Sequence, residues 1–528
     1  MNRLVLRTFL ASAIALAAAC GAPASTSTTP VPPVTPTDPV QPAPPPVETA
    51  PAIADVILPA TQEPSVTLAA WFRVGSQDDP AGKEGLAWLT AQMVSRAATT
   101  AHRYDEILTL LYPMAASYEA SLDREMTVIS GRASSADSAA FLQLFGEAFT
   151  QPAFAQADFE RLRTEGVSFL EKNLRYALDE ELGKAILNGA LFHGTPYAHP
   201  TVGTVAGLKA ITLADVKAFW QEHYAADRVV FGLAGGWTDE LRVALVSARD
   251  KLPAVRAPLT LPALNTVAAP GRRVVLVEKP GADASISMGH LLDVRRGDPD
   301  FAALYLAASW LGEHRNSSSH LYQVIREARG LNYGDYAYVE AYPRGGFRQL
   351  PPANVGRRRQ AFELWIRTLP NTNAVFALRA ALRETDHLIQ HGLTAEQFEL
   401  TRNFLMKYVL HYAASTQDRL LWSLDDAFYG LAQPHLTKLR ADLAALTLEQ
   451  VNAAIKRHLS TQNLTIAIAT GEPDKLKAQL ASDAPTPPTY ATPKPESVTN
   501  EDKVIAAYPL GISAADITVL PVDAMFAR

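Results

Sequence analysis

The chain repeats part of itself at a spacing of 235 residues, and that repeat constrains the fold more than any other feature. Ile211-Thr212-Leu213-Ala214-Asp215-Val216 leads through a helical pattern to His223, then to the apolar run Val229–Leu233 and Gly236. Leu446-Thr447-Leu448-Glu449-Gln450-Val451 leads likewise to His458, then to Leu464–Ala469 and Gly471. Thr212/Thr447, His223/His458 and Gly236/Gly471 share the 235-residue offset. Each copy reads as an N-capped helix, a turn and a buried strand. A period this long means a duplicated domain, because solenoid repeats run near 20–50 residues.

Earlier segments correspond as well. Strand-like Val66–Val74 precedes a helix at about 83–96, and strand-like Ser285–Val294 precedes one at about 301–311. Long helical patterns cover 159–191 and 374–390. The expected organisation is two homologous α+β domains, 52–250 and 272–482, each a mostly antiparallel sheet with helices packed on it. A link, 251–271, carries Pro253, Pro258, Pro262 and Pro270. A Pro-rich segment and tail, 483–528, still holds apolar residues that could dock on a domain or on a partner.

Residues 1–20 pair Arg3 and Arg7 with a short apolar run and end in Leu16-Ala17-Ala18-Ala19-Cys20, the build of a signal peptide. Small residues before a cysteine resemble the lipobox of bacterial lipoproteins, with Leu16 one place early, and that resemblance makes Cys20 the lipidation site. An ordinary signal peptide cut at the same alanines is the alternative. Cys20 is the one cysteine of the chain, so disulfides and zinc ribbons are excluded. Residues 21–51 form a tether: Ala22 to Pro51 holds 11 prolines in 30 residues, and an extended polyproline chain of that length reaches about 90 Å. Gly21, not Asp, follows the cysteine, which by resemblance to Gram-negative lipoproteins favours the periplasmic face of the outer membrane. The net charge of −6 and the interspersed Lys and Arg leave no footprint for nucleic acid.

Val74-Gly75-Ser76 followed by Gly85-Leu86-Ala87 resembles the first motif of the pitrilysin/insulinase family of zinc peptidases, over about residues 55–480. The stretch His193-Gly194-Thr195-Pro196-Tyr197-Ala198-His199-Pro200 is similar to the family's H-P-Y-x-x-P. In active members Gly-Leu-Ala runs into the inverted zincin motif H-x-x-E-H. Here the functional positions fall on Trp88, Ala91 and Gln92. Indole does not ligate zinc, a methyl group is no base, and a neutral amide replaces imidazole poorly. Glu171 lies near where the resemblance puts the third ligand, and it reads equally as a solvated charge among Glu165, Lys172 and Arg175.

The second half carries the opposite signal. Leu321 to Tyr333 resembles the family's second-domain motif, in which an Arg and a Tyr contact the substrate carbonyl. Arg326 and Tyr333 hold that R-x(6)-Y spacing. Guanidinium and phenol donate strongly to developing oxyanion charge. Alternatively, Arg326 caps a helix end and Tyr333 packs in the core. His387 and His391 share a helix face but read as surface residues at a helix end, and His314 and His320 as part of a loop and helix cap. No phosphate loop or G-x-S-x-G elbow is present.

The resemblance implies half of a clam-shell chamber. The expected protein is a non-catalytic, substrate-binding subunit of a heterodimeric periplasmic metallopeptidase. It would have no metal of its own and would lend Arg326 and Tyr333 to a homologous partner whose H-x-x-E-H motif binds zinc. The alternative is an inactive pseudoenzyme that binds peptides or envelope proteins as a homodimer.

Overall fold

A computed structural model describes residues 52–254, 258–266 and 270–528, with the backbone of Glu48–Thr49. The expected signal peptide, Cys20 and nearly all of the tether lie outside the described residues. Two open sheets carry the fold. The first is built from β1 (Val56–Ile57), β2 (Ser65–Phe72), β3 (Ser117–Leu122), β4 (Thr127–Ser134) and β5 (Val229–Gly235), in the order β1-β5-β2-β4-β3. Only β1 and β5 run parallel. The second uses β6 (Arg272–Glu278), β7 (Ala284–Leu292), β8 (Asp335–Tyr338), β9 (Gln360–Leu369) and β10 (Leu464–Thr470). Their order, β6-β10-β7-β9-β8, matches the first sheet strand for strand, including the parallel pair β6–β10. The capped helices Leu213–His223 and Leu448–His458, and the strands β5 and β10, keep the offset seen in the sequence.

Thr212 and Thr447 start those helices with capping boxes, each side chain accepting from the backbone N–H three residues on. One face of each sheet is covered by helices of its own half. Leu89, Phe145 and Phe219 pack there in the first half, and Leu304, Leu378 and Ile455 in the second. The opposite faces are covered reciprocally. Helix Asp179–Leu191 of the first half lays Leu182, Ile186 and Leu187 on Val277, Ala467 and Ala469 of the second sheet. Helix Thr416–Phe428 of the second half lays Leu420 and Leu424 on Ala69, Trp71 and Val230 of the first. The two helices occupy corresponding places in the repeat, so the halves exchange equivalent elements. Central strands are therefore buried on both faces, which is why β2, β5 and β10 read as largely apolar runs.

Two sequence expectations are refined. The helical pattern at 159–191 is not one helix: Gln156–Ser168 runs into a wide π-helical stretch, Phe169–Ala177, and restarts at Asp179 after Leu178 leaves helical geometry. The tail is built into the fold. Helix Glu496–Ala506 buries Ile505 and Ala506 in the second core, and β11 (Ile517–Pro521) extends the second sheet parallel to β6. The last residues then cross to the first half, where Val205 and Ala206 donate backbone N–H groups to the carbonyls of Phe526 and Ala527. No described helix is long and apolar enough to cross a membrane.

Candidate functional site

The first-half motif lies on helix Leu86–Ser95. Its start is fixed by Asp79, whose two carboxylate oxygens accept from the backbone N–H of Gly85 at 2.7 Å and of Ala87 at 2.6 Å. Gly85 sits at φ 109°, and a β-carbon there would meet the Val202 carbonyl at 2.6 Å. Burial outweighs the two hydrogen bonds and pushes the Asp79 carboxyl up to about 8.

The three motif positions point into protein. Trp88 lies against helix Gln156–Ser168 at Gly166, where an added β-carbon would stand 2.6 Å from indole Cζ3. Ala91 is fully buried. The buried Gln92 accepts through Oε1 from Arg96 Nη1 at 3.0 Å, and Arg96 Nη2 pairs with Glu165 at 2.9 Å. Indole wedge, methyl group and committed amide do not fit a zinc ion. Glu171 is half-exposed and pairs with Lys209 at 3.4 Å, outside the Gln92–Arg96–Glu165 chain. Among the described residues no cluster of three His, Cys, Asp or Glu side chains could hold a metal.

The His193–Pro200 stretch is a structural bracket. Tyr197 is fully buried and donates its hydroxyl to Glu125, which also pairs with Arg358 at 2.8 Å. His199 stands 3.8 Å from Asp79, and burial together with Arg124 lowers its imidazole to about 4.

Arg326 closes the π-helical turn Tyr322–Glu327, over the Tyr322 ring at 4.8 Å and 2.7 Å from Glu327. Tyr333 follows in the loop before β8 and is 75 % exposed. The core-packing alternative for Tyr333 is thereby excluded. The loop turns at Gly330, left-handed at φ 68°, and is tied back where Asn332 donates to buried Asp335 at 2.7 Å. Burial pushes the Asp335 carboxyl up to about 8. Arg329, which sequence reasoning passed over, anchors the turn. Its buried guanidinium pairs with Asp502 at 2.8 Å and Glu501 at 2.9 Å on helix Glu496–Ala506. Nothing local marks it as an anchor, because its acidic partners lie more than 170 residues away.

His387 and His391 are exposed at a helix end, ring centroids 4.5 Å apart. His314 differs from a loop-and-cap residue: it is buried, bonded to the Tyr338 hydroxyl at 2.8 Å and to the Arg348 carbonyl at 2.9 Å. His320 stacks on Trp310 and pairs with Glu384 at 2.6 Å. A cavity of about 640 Å³ opens between the halves, and neither the motif helix positions nor Arg326 and Tyr333 line it.

Comparison with known proteins agrees with this geometry. A family model described as Insulinase (Peptidase family M16) matches residues 55–204, and one described as Peptidase M16 inactive domain matches residues 210–405. An uncharacterized zinc protease of Mycobacterium tuberculosis is 24% identical over 78% of this chain and 89% of its own length. The non-peptidase homolog YmxG of Helicobacter pylori is 23% identical over 62% of this chain and 71% of its own. The crystal structure of a peptidase M16 inactive domain from Pseudomonas fluorescens superposes with a TM-score of 0.68 at 23% identity, covering 80% of this chain and 97% of that one. At that identity the likeness shows the two-domain fold.

Proposed function

The chain belongs to the insulinase (M16 peptidase) family, and from that premise we propose that it is a non-catalytic, substrate-binding subunit of a heterodimeric metallopeptidase in the Gram-negative envelope. A homologous partner with an intact H-x-x-E-H motif supplies zinc and the general base. This chain supplies a wall of the clam-shell chamber and, across it, Arg326 and Tyr333, whose donors steady the oxyanion that forms as a peptide carbonyl is attacked. One contrast carries the reading: the zinc-motif side chains are packed into protein, whereas Tyr333 is held outward on a braced loop. An exposed tyrosine on the loop that follows the arginine's turn is free to meet a second chain. Cys20 and the Pro-rich tether would anchor the assembly to the periplasmic face of the outer membrane, with peptides as the substrate class.

The test is co-purification of the tagged chain from its native envelope, followed by reconstitution with the captured homologue. Arg326→Ala and Tyr333→Phe should each lower peptide turnover by about a hundredfold to a thousandfold, as removal of an oxyanion donor does, with assembly unchanged. Undiminished turnover in a normally assembled pair would refute the oxyanion role. The relative named a non-peptidase homolog favours a second reading, a peptide-binding homodimer without catalysis. Isolation of this chain with only copies of itself would select it.

A further inference from the structure

His102, His320 and His458 each meet a carboxylate: Glu147 at 3.0 Å, Glu384 at 2.6 Å and Asp300 at 2.7 Å. His387 and His391 are not spent in this way. Both are exposed, and among the described residues neither ring makes a hydrogen bond or an ion pair. They meet each other instead, with ring centroids 4.5 Å apart and planes inclined at 48°.

The fold holds this pair in place. Helix Ala374–His391 buries Leu378, Ala381, Leu382 and Leu388 in the core of the second half, which leaves His387 and His391 one turn apart on its solvent side. Residues at i and i+4 of a helix stand one above the other, the arrangement that helical zinc motifs use. A metal bound about 2.0 Å from one nitrogen of each ring, with the two bonds at right angles, sets the ring centroids about 4.5 Å apart. The observed spacing is that of two imidazoles sharing one ion. Gly392, at φ 71°, ends the helix directly after His391, and the partial negative charge of a helix C-terminus favours a cation there. One turn earlier, the charge of Arg383 is already answered by Glu384 and Glu501.

We propose that His387 and His391 form a bidentate surface site for a divalent transition-metal ion. Imidazole suits copper, nickel and zinc, and the Irving–Williams order puts Cu2+ first among them. No third His, Cys, Asp or Glu side chain completes the pair among the described residues, so water takes the remaining positions. Two ring nitrogens at right angles with water beside them give the tetragonal arrangement that Cu2+ adopts. Two ligands hold zinc far more loosely than the three of a catalytic centre. The site therefore stands apart from the degenerate motif at Trp88, Ala91 and Gln92, which lies in the other half.

The test is calorimetric titration of the full chain with Cu2+ near neutral pH, with electron paramagnetic resonance on the copper-loaded protein. The single thiol, Cys20, is blocked beforehand because it would compete for the ion. The tightest Cu2+ should bind one per chain and show equatorial nitrogen ligation. His387→Ala and His391→Ala should each weaken that binding at least about tenfold. The double variant should bind about as weakly as either single, because one imidazole is no chelate. Both positions are exposed, so far-UV circular dichroism should be unchanged in all three variants. Affinity that survives the single variants would place the ion elsewhere and overturn the site. Losses that add in the double variant would show two independent ligands and overturn it as well, as would a parent chain that binds no Cu2+. Peptide turnover and capture of a zinc-bearing homologue are separate readouts, so this inference and the proposed function fail separately.

Discussion

The indole of Trp88 and the missing side chain of Gly166 form a fitted pair on adjoining helices, each small or large because of the other. Gly166→Ala would place a β-carbon 2.6 Å from a part-buried ring packed against the core. We expect a stability loss of about 1–3 kcal/mol, the usual cost of overpacking, read by denaturant titration. Trp88→Leu in the same chain should recover most of it, since the clash partner is gone; equal losses with and without the indole would contradict the packing account. The substitutions at positions 88, 91 and 92 were legible in the sequence because a resemblance fixed which residues to compare. Lys184 was not legible. Its aromatic cage is drawn from Tyr338, Tyr342 and Trp365 in the other half, and no local pattern links a lysine on one helix to rings so far along the chain.

At the scale of elements, the tail helix Glu496–Ala506 works as a brace for the Arg326–Tyr333 turn. Arg329 is 1 % exposed and its partner Asp502 8 %. Arg329→Leu therefore leaves Asp502 buried without its cation, a change that costs about 3–5 kcal/mol when a buried pair is broken from one side. We expect faster proteolysis within 483–528 and, in the reconstituted pair, lower turnover without direct loss of Arg326. Unchanged protease resistance would show that the helix is held without this pair. Capped helices and apolar strands were readable because their signals are local: the Thr212 and Thr447 boxes, and the runs that became β5 and β10. The exchange of helices Asp179–Leu191 and Thr416–Phe428 was not, because an amphipathic face shows that it will be buried and not against which sheet. The break at Leu178 was hidden for a related reason: a π-helical stretch keeps an apolar periodicity close to that of an α-helix.

Over the whole molecule, buried titratable groups set how stability responds to pH. Burial raises the carboxyls of Asp78 and Glu313 to about 7 and those of Asp79 and Asp335 to about 8. Each folded carboxyl holds a proton that the unfolded chain releases near pH 4, so the folded state binds more protons and loses stability as pH rises toward 8. Part-buried His199 and His223 and buried His314 are lowered to about 4, 3 and 3, chiefly by desolvation. They act in the opposite sense and only below their unfolded value near 6.5. Between pH 6.5 and 8.5 the carboxyls act alone among these groups, and the melting temperature should fall across that window. A flat or rising profile would mean that these carboxyls are ionised in the fold.

We propose that the first half has given up zinc and that hydrolysis belongs to a second chain. The direct measurement is zinc content by mass spectrometry on the purified, partner-free protein after equilibration with excess zinc and desalting, alongside a chelator-controlled peptide cleavage assay. Far less than one zinc per chain and no chelator-sensitive cleavage are expected. One tightly held zinc per chain with cleavage that chelation abolishes would contradict it.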